Sequence, residues 1–296
     1  MTRISATAPL LAALITIVLW SFAFPASRAL LAYFSVEQIV VLRYVIASVF
    51  FLLIFAMGRI PLPMVRDLPA IFALGFLGIT VYQLLFVFGM GEVAGGAAAM
   101  IVAVNPVFSS LLARVFFSER LSSRAWIGIV LSALGVGVIS FIKGTDGSTI
   151  GFLAMLLATS SIAVYFVFQK SFFDRYSPLS MTAYTCWAGT IPLLYFLPAT
   201  IDVSLMAPMP PILWAVIMGV FSSGIGFVLW FYALSKLRAG IVTSFLFLQP
   251  VLVIAMSWVW LSEVPGITTL IGGAVVLVGV SFIVSEQMRK AKLTPN

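Results

Sequence analysis

Ten stretches without a charged residue divide this chain: 4–27, 44–58, 68–91, 93–113, 125–142, 147–169, 176–201, 203–235, 239–262 and 264–285. Most are long enough for a helix of about 20 residues to cross a hydrocarbon core of about 30 Å. They lack the alternation of apolar and polar residues that marks membrane β-strands. The second stretch reaches span length only if it starts near Val36 and takes Arg43 inside; the eighth opens on Pro208, Pro210 and Pro211, so its helix is expected from Ile212, with proline favoured at the first turn. The spacing predicts helices at about 8–27, 36–57, 68–90, 94–117 and 124–142, then at about 149–171, 178–198, 212–234, 239–261 and 266–285. At 62% hydrophobic and 8% charged residues, against about 45–50% and 25% in a soluble domain, the chain carries apolar surface that only lipid can cover. The expectation is an all-α integral membrane protein. Arg3 precedes the first stretch as in a signal peptide, but no small-residue cleavage site comes before Arg28, so this segment is read as a retained helix.

Lys and Arg set the orientation. With the N-terminus in the cytoplasm, 13 of the 16 basic residues fall in inner loops or tails, and only Arg28, Arg43 and Lys143 lie outside. Acidic residues split 4 inside to 5 outside, so the bias belongs to Lys and Arg alone. Both termini are expected to be cytoplasmic. The net charge of +7 then reflects basic cytoplasmic loops, with no nucleic-acid partner called for.

One pattern occurs twice, 144 positions apart. Gly96, Asn105-Pro106, Ser118-Glu119, Gly128 and Gly135 recur as Gly240, Gln249-Pro250, Ser262-Glu263, Gly272 and Gly279. The chain therefore divides into two five-helix repeats, 1–144 and 145–296, the second ending in a short basic cytoplasmic tail. Five helices per unit is odd, so the second copy must enter the membrane upside down. The charges agree: Arg114, Arg120 and Arg124 flank an inner turn and correspond to Trp258, Val264 and Thr268 in an outer one. Inverted repeats typify secondary transporters, with substrate near the midplane between the halves.

Trp20-Ser21-x-x-Phe24, Ser35 with Arg43, Asn105-Pro106 with Glu119, and Gln249-Pro250 with Glu263 resemble the drug/metabolite transporter superfamily. The ten-helix EamA-type branch fits over essentially the whole chain, and within it the YddG-type amino-acid exporters. The resemblance implies a basket in which helices 1, 3, 4, 6, 8 and 9 surround a central cavity, helices 5 and 10 serve as scaffold, and solutes leave a bacterial cytoplasm across the inner membrane. Helix 6 departs from the pattern, with Ser161-Ile162-Ala163-Val164-Tyr165 in place of a Trp-containing motif.

The candidate substrate-binding residues follow from polar or aromatic side chains deep in the spans. Trp20 and Phe24 lie one turn apart on one face, as a packing pair or as cavity wall. Tyr82 and Gln83, one turn before Phe86, need polar partners or a wet cavity. Asn105 precedes Pro106, which cannot donate to the Val102 carbonyl; Gln249-Pro250 repeats the device and frees Leu246. Tyr165, Gln169, Ser223, Trp230 and Ser244 complete the set. Pro25, Pro106 and Pro250 are candidate hinges, or kinks that only shape the bundle. Arg43 has two readings, an ion pair with Glu37 or contact with a substrate. Gly128, Ser132 and Gly135 form a stripe for tight helix packing, and Cys186 reads as a small core residue.

Absences narrow the function. The chain has no histidine, and its Asp and Glu residues sit at span ends or in loops. A carboxylate proton relay in mid-membrane is therefore not expected. No mid-span cluster of Lys and Arg is present to neutralise phosphates. What remains suits a neutral or zwitterionic solute with an apolar part, such as an amino acid, aromatic ones included. The expected protein is a secondary exporter working by alternating access as a monomer, with a small-molecule substrate, the lipid bilayer as its surroundings, and no cofactor, metal or catalytic residue. Export of other amphiphilic metabolites or drugs is the alternative; a channel or an intramembrane enzyme is a weaker one.

Overall fold

A computed structural model describes residues 7–118, 121–141, 147–237, 242 and 245–293. Among these residues the chain is helical, with no strand beyond an isolated bridge between Val93 and Gly147. Eight helices are long and apolar enough to cross a membrane: α1 (Thr7–Leu30), α2 (Val36–Ala56), α3 (Val65–Glu92), α4 (Gly95–Phe117), α6 (Thr149–Phe172), α7 (Pro178–Met206), α8 (Met209–Lys236) and α10 (Ile267–Glu286). Two shorter apolar helices, α5 (Ser123–Ile139) and α9 (Phe245–Leu261), stand at the remaining expected places. Leu53, Leu134, Leu157 and Val259 are exposed on the outer surface, where an aqueous solvent would be unfavourable and lipid would not.

Several boundaries differ from expectation. α7 runs past 198 to Met206, because a 3₁₀ stretch at Ile191–Phe196 accommodates Pro192 and a fresh α-helical segment starts with Pro198 at its first turn. α8 starts at Met209 instead of Ile212, with both following prolines in its first turn. The last helix continues as Ile267–Leu293. The described part of α9 opens with a 3₁₀ turn at Phe245–Phe247. Lys143, Gly240, Ser244, Glu119 and the boundary at 144 lie outside the described residues.

Local structure repeats at the sequence period. Ser118 and Ser262 both cap their helices in the left-handed region, at φ 54° and 56°, the position that ends a helix. α3 and α8 each contain a π-helical segment, Phe76–Val81 and Met218–Ile225. α4 is interrupted by a turn at Ala103–Val104 and restarts with Pro106 in its first turn.

α5 and α10 make the most extensive helix pair. A Cβ on Gly128 would lie 2.5 Å from the Gly279 carbonyl oxygen, and one on Gly135 2.6 Å from that of Gly272. The four glycines let the two backbones meet directly.

Bonds between helix ends fall into two groups. At one end of the bundle Arg28 donates to the Met90 and Val93 carbonyls at 2.9 and 2.8 Å and forms an ion pair with Glu263. Glu263 also accepts from the Gly95 N–H, and Ser148 donates to Glu92. The ends of α1, α3 and α9 thus meet the beginnings of α4 and α6. At the other end Asp67 accepts from Arg175 at 2.8 Å and from Tyr176 at 2.6 Å, and Tyr184 donates to the Pro61 carbonyl.

Candidate functional site

The π-helical segments of α3 and α8 immediately precede the positions that matter. A π turn adds a residue and offsets the helix register. Here the Leu77 carbonyl of the segment accepts from Ser161, and the segment's Thr80 donates across to Gly189 O of α7. In α8, the Trp20 indole N–H donates to Ser222 O at 3.1 Å, and the Ser222 hydroxyl donates to Leu19 O. Trp20 is thereby fixed against Phe227 and Trp230, with ring centroids 5.0 and 5.1 Å away.

A cavity of about 40 Å³ opens between these helices. Its wall contains Trp20, Ala23 and Phe24 of α1, Tyr82, Gln83 and Phe86 of α3, Val102 and Asn105 of α4, Ile162 and Phe166 of α6, Phe227 of α8, and Leu246 and Gln249 of α9. α2 contributes Arg43. The wall is periodic. Gln83 and Phe227, Val102 and Leu246, and Asn105 and Gln249 are each 144 positions apart, and Trp20 and Ile162, like Phe24 and Phe166, are 142 apart.

Seven of the candidate residues thus meet at one place: Trp20, Phe24, Tyr82, Gln83, Phe86, Asn105 and Gln249. Phe24 meets Phe86 edge to face at 4.9 Å, and Tyr82 lies 5.7 Å from the same ring. Asn105 accepts from Ser109 through Oδ1, while its buried Nδ2 has no protein partner among the described residues.

Four candidates lie elsewhere. Tyr165 turns its ring onto Gly78, where a Cβ would approach it to 2.3 Å, and its hydroxyl bonds Thr185 at 3.0 Å. The neighbouring Phe166, about 100° further round the helix, takes the cavity face and stacks on Trp20 at 6.1 Å. Gln169, one turn from Tyr165, is fully buried away from the cavity. Trp230 packs behind Trp20, and Ser223 serves Arg43. Ser244 lies outside the described residues.

The prolines shape the wall in different ways. Pro25 sits buried inside an unbroken α1. Pro106 falls in the first turn of a restarted helix, just after the wall residue Asn105. Pro250 follows Gln249 near the described start of α9.

Arg43 departs most from expectation. Its pairing with Glu37 is not formed; Glu37 instead accepts from Ser35 at 2.8 Å, beside the capping box that Ser35 makes with Gln38. Arg43 points inward, buried, and donates through Nε to Ser223 Oγ at 2.5 Å and through Nη1 to Gln83 Oε1 at 2.9 Å. The hollow therefore has a guanidinium in its wall. The placement of an arginine inside an apolar span marks a functional position by default, and contact with a substrate is the other reading that the sequence leaves open. Among the described residues, no group of His, Cys, Asp and Glu could hold a metal ion.

Comparison with known proteins places these features in context. The EamA-like transporter family matches this chain twice, over residues 7–141 and 149–285. The uncharacterized transporter YdfC of Bacillus subtilis is 36% identical over 89% of this chain and 87% of its own. A protein of Streptantibioticus cattleyicolor named probable terminal-alkyne amino-acid exporter is 35% identical over 92% of each chain. An uncharacterized transporter of Archaeoglobus fulgidus is 31% identical over 92% of this chain and 97% of its own. A solved crystal structure, 18% identical, superposes with a TM-score of 0.64 over 96% of this chain and 98% of its own, a likeness of fold alone.

Proposed function

The chain belongs to the EamA-like transporter family of multi-pass membrane transporters, and from that premise we propose that it is a secondary transporter exporting small neutral or zwitterionic metabolites, foremost amino acids including aromatic ones, across a bacterial inner membrane. The observation that carries the reading is the cavity wall. Aromatic rings from α1, α3, α6 and α8 surround it, with amides from α3, α4 and α9 between them. Rings of this kind stack on an apolar side chain, and an ammonium over Trp20 or Tyr82 would gain cation–π attraction of about 0.5–2 kcal/mol. The relative named as an amino-acid exporter supports the same solute class.

The architecture in this proposal is ten membrane helices in two inverted five-helix halves, about 1–144 and 145–296, with both termini cytoplasmic. Two observations support it. The family match is doubled, and α6, the counterpart of α1, begins at the end of the bundle where α1 finishes, since Ser148 bonds Glu92 beside Arg28 and Val93. The cavity is small, about 40 Å³, so in this reading an aromatic amino acid enters only when the wall opens. Alternating access provides that opening, with the interruptions at Pro106 and Pro250 as paired hinges. The protein works as a monomer in this reading.

Purified protein in proteoliposomes tests the proposal. Labelled aromatic amino acids should enter saturably and be accelerated by unlabelled solute on the opposite side. Absence of saturable flux for any amino acid removes the solute assignment, and flux without trans-stimulation indicates a channel. Pro106→Ala and Pro250→Ala should each slow exchange; wild-type rates in both would discard the hinges.

A further inference from the structure

Arg43 has a place in the cavity that packing alone does not explain. A guanidinium carries five N–H donors and stays charged at any physiological pH. Here two are engaged, both by neutral oxygens, Ser223 Oγ and Gln83 Oε1. Among the described residues no carboxylate lies within ion-pair distance of it. Of the carboxylates at its end of the bundle, Glu37 is taken by Ser35, Glu92 by Ser148, and Glu263 by Arg28 and Gly95, while Asp202 is exposed and forms no ion pair with Arg43.

The charge is nonetheless held deliberately in position. Gly219 lets α8 approach the Arg43 backbone, where a Cβ would lie 2.8 Å from the Arg43 carbonyl oxygen. Ser223 follows one turn later and takes Nε. Arg43 lines the same cavity as Asn105, whose buried Nδ2 is a second donor without a protein partner among the described residues. Arg43 also breaks the periodicity of the wall. The position 142 residues later is Thr185, which is buried against Tyr165 and Met181 outside the cavity. The duplicated scaffold has no need of a cation there.

We propose that Arg43 is the carboxylate anchor of the transport site: the solute's carboxylate lies against the free edge of the guanidinium, with Asn105 Nδ2 as a second donor, and its apolar part lies among Trp20, Phe24 and Phe86. This rests on the reading of the cavity as the solute site, and it adds that the protein selects for an acid group. A planar fork matches a carboxylate better than it matches a neutral amide.

The test uses detergent-purified full-length protein and three probes measured by ligand-induced thermal shift: L-phenylalanine, L-phenylalaninamide and 3-phenylpropionate. Both acids should bind about 10- to 100-fold more tightly than the amide, the range for a hydrogen bond to a charged group. Arg43→Gln should bring the three within about twofold of one another. Gln83→Glu keeps the arginine and supplies an internal carboxylate, so it should also abolish the preference if Arg43→Gln does not fold. Equal binding of both acids and the amide by the wild type overturns the anchor, as does a preference that survives both substitutions or binding of neither acid. Arginine-dependent binding of 3-phenylpropionate without binding of phenylalanine retains the anchor and removes the amino-acid reading. Equal binding of phenylalanine and its amide does the reverse.

Discussion

Along the contact of α5 with α10, Gly128 and Gly135 lie against Gly279 and Gly272, backbone to backbone. Around the cavity the neighbours are Trp20, Phe24, Phe86, Phe166 and Phe227, with Arg43, Gln83, Asn105 and Gln249 among them. The first region removes side chains so that two helices can fit with no room to slide. The second has large rings and polar groups, and at Arg43 and Asn105 it retains donors without a protein partner among the described residues. Close packing of small residues gives a rigid strut, whereas a wall that must part for a solute is held together by fewer fixed contacts. The contrast assigns stability to one region and turnover to the other.

The hardest blow to that division is Gly135→Leu. Its Cβ would meet the Gly272 carbonyl oxygen at 2.6 Å and the Val276 amide nitrogen at 2.7 Å, both backbone atoms that cannot swing aside. Overpacking costs about 1–3 kcal/mol even where side chains yield, so the melting temperature should fall by about 10 °C or the monodisperse peak on size-exclusion should vanish. If Gly135→Leu melts like the wild type, the seam is no strut.

Trp20→Ala should show the opposite profile. It removes the ring that bridges α1, α6 and α8, and amino-acid flux in proteoliposomes should drop by about tenfold or more, equivalent to about 1.4 kcal/mol or more of lost interaction. The protein should still elute as a single peak. Trp20→Phe is gentler. It retains a ring but forfeits the bond to Ser222 O, worth about 1 kcal/mol, so flux should fall several-fold.

Arg28→Gln sharpens the comparison at the rim. It breaks the partly exposed ion pair with Glu263 and two bonds to carbonyls. Exposed pairs contribute about 0.2–1 kcal/mol, so thermal unfolding should shift by only a few degrees, and by less in high salt. Smallest of all is Gly137→Ala. It adds a Cβ with nothing within 4 Å, although it lies only two residues beyond Gly135 of the seam, and alanine is favoured over glycine inside a helix by about 0.5–1 kcal/mol. Its melting point should be unchanged or slightly higher.

The two regions were not equally legible in the sequence. Helix existence could be read from charge-free runs, and the seam from Gly128 and Gly135 with their counterparts at Gly272 and Gly279, because a packing stripe is a local, periodic property. Asn105 and Gln249 stood out as polar residues before prolines. The wall as a whole resisted, since one residue of helical rotation decides whether Tyr165 or Phe166 faces inward, and that choice is made by Gly78 on another helix. The π segments shift register without a sequence mark of their own. For Arg43 the one protein partner the sequence suggested was Glu37, six residues away, when its partners are 40 and 180 residues distant. Partners so remote are fixed by how helices pack, which no single span encodes.

Counterflow settles the central claim most directly: labelled phenylalanine entering proteoliposomes preloaded with the unlabelled amino acid, with the wild type and Trp20→Ala compared at equal protein content. Saturable, trans-stimulated entry that falls about tenfold in Trp20→Ala is the predicted result. Wild-type vesicles without saturable entry, or equal rates for the two proteins, would contradict the assignment of the aromatic cavity as the transport site.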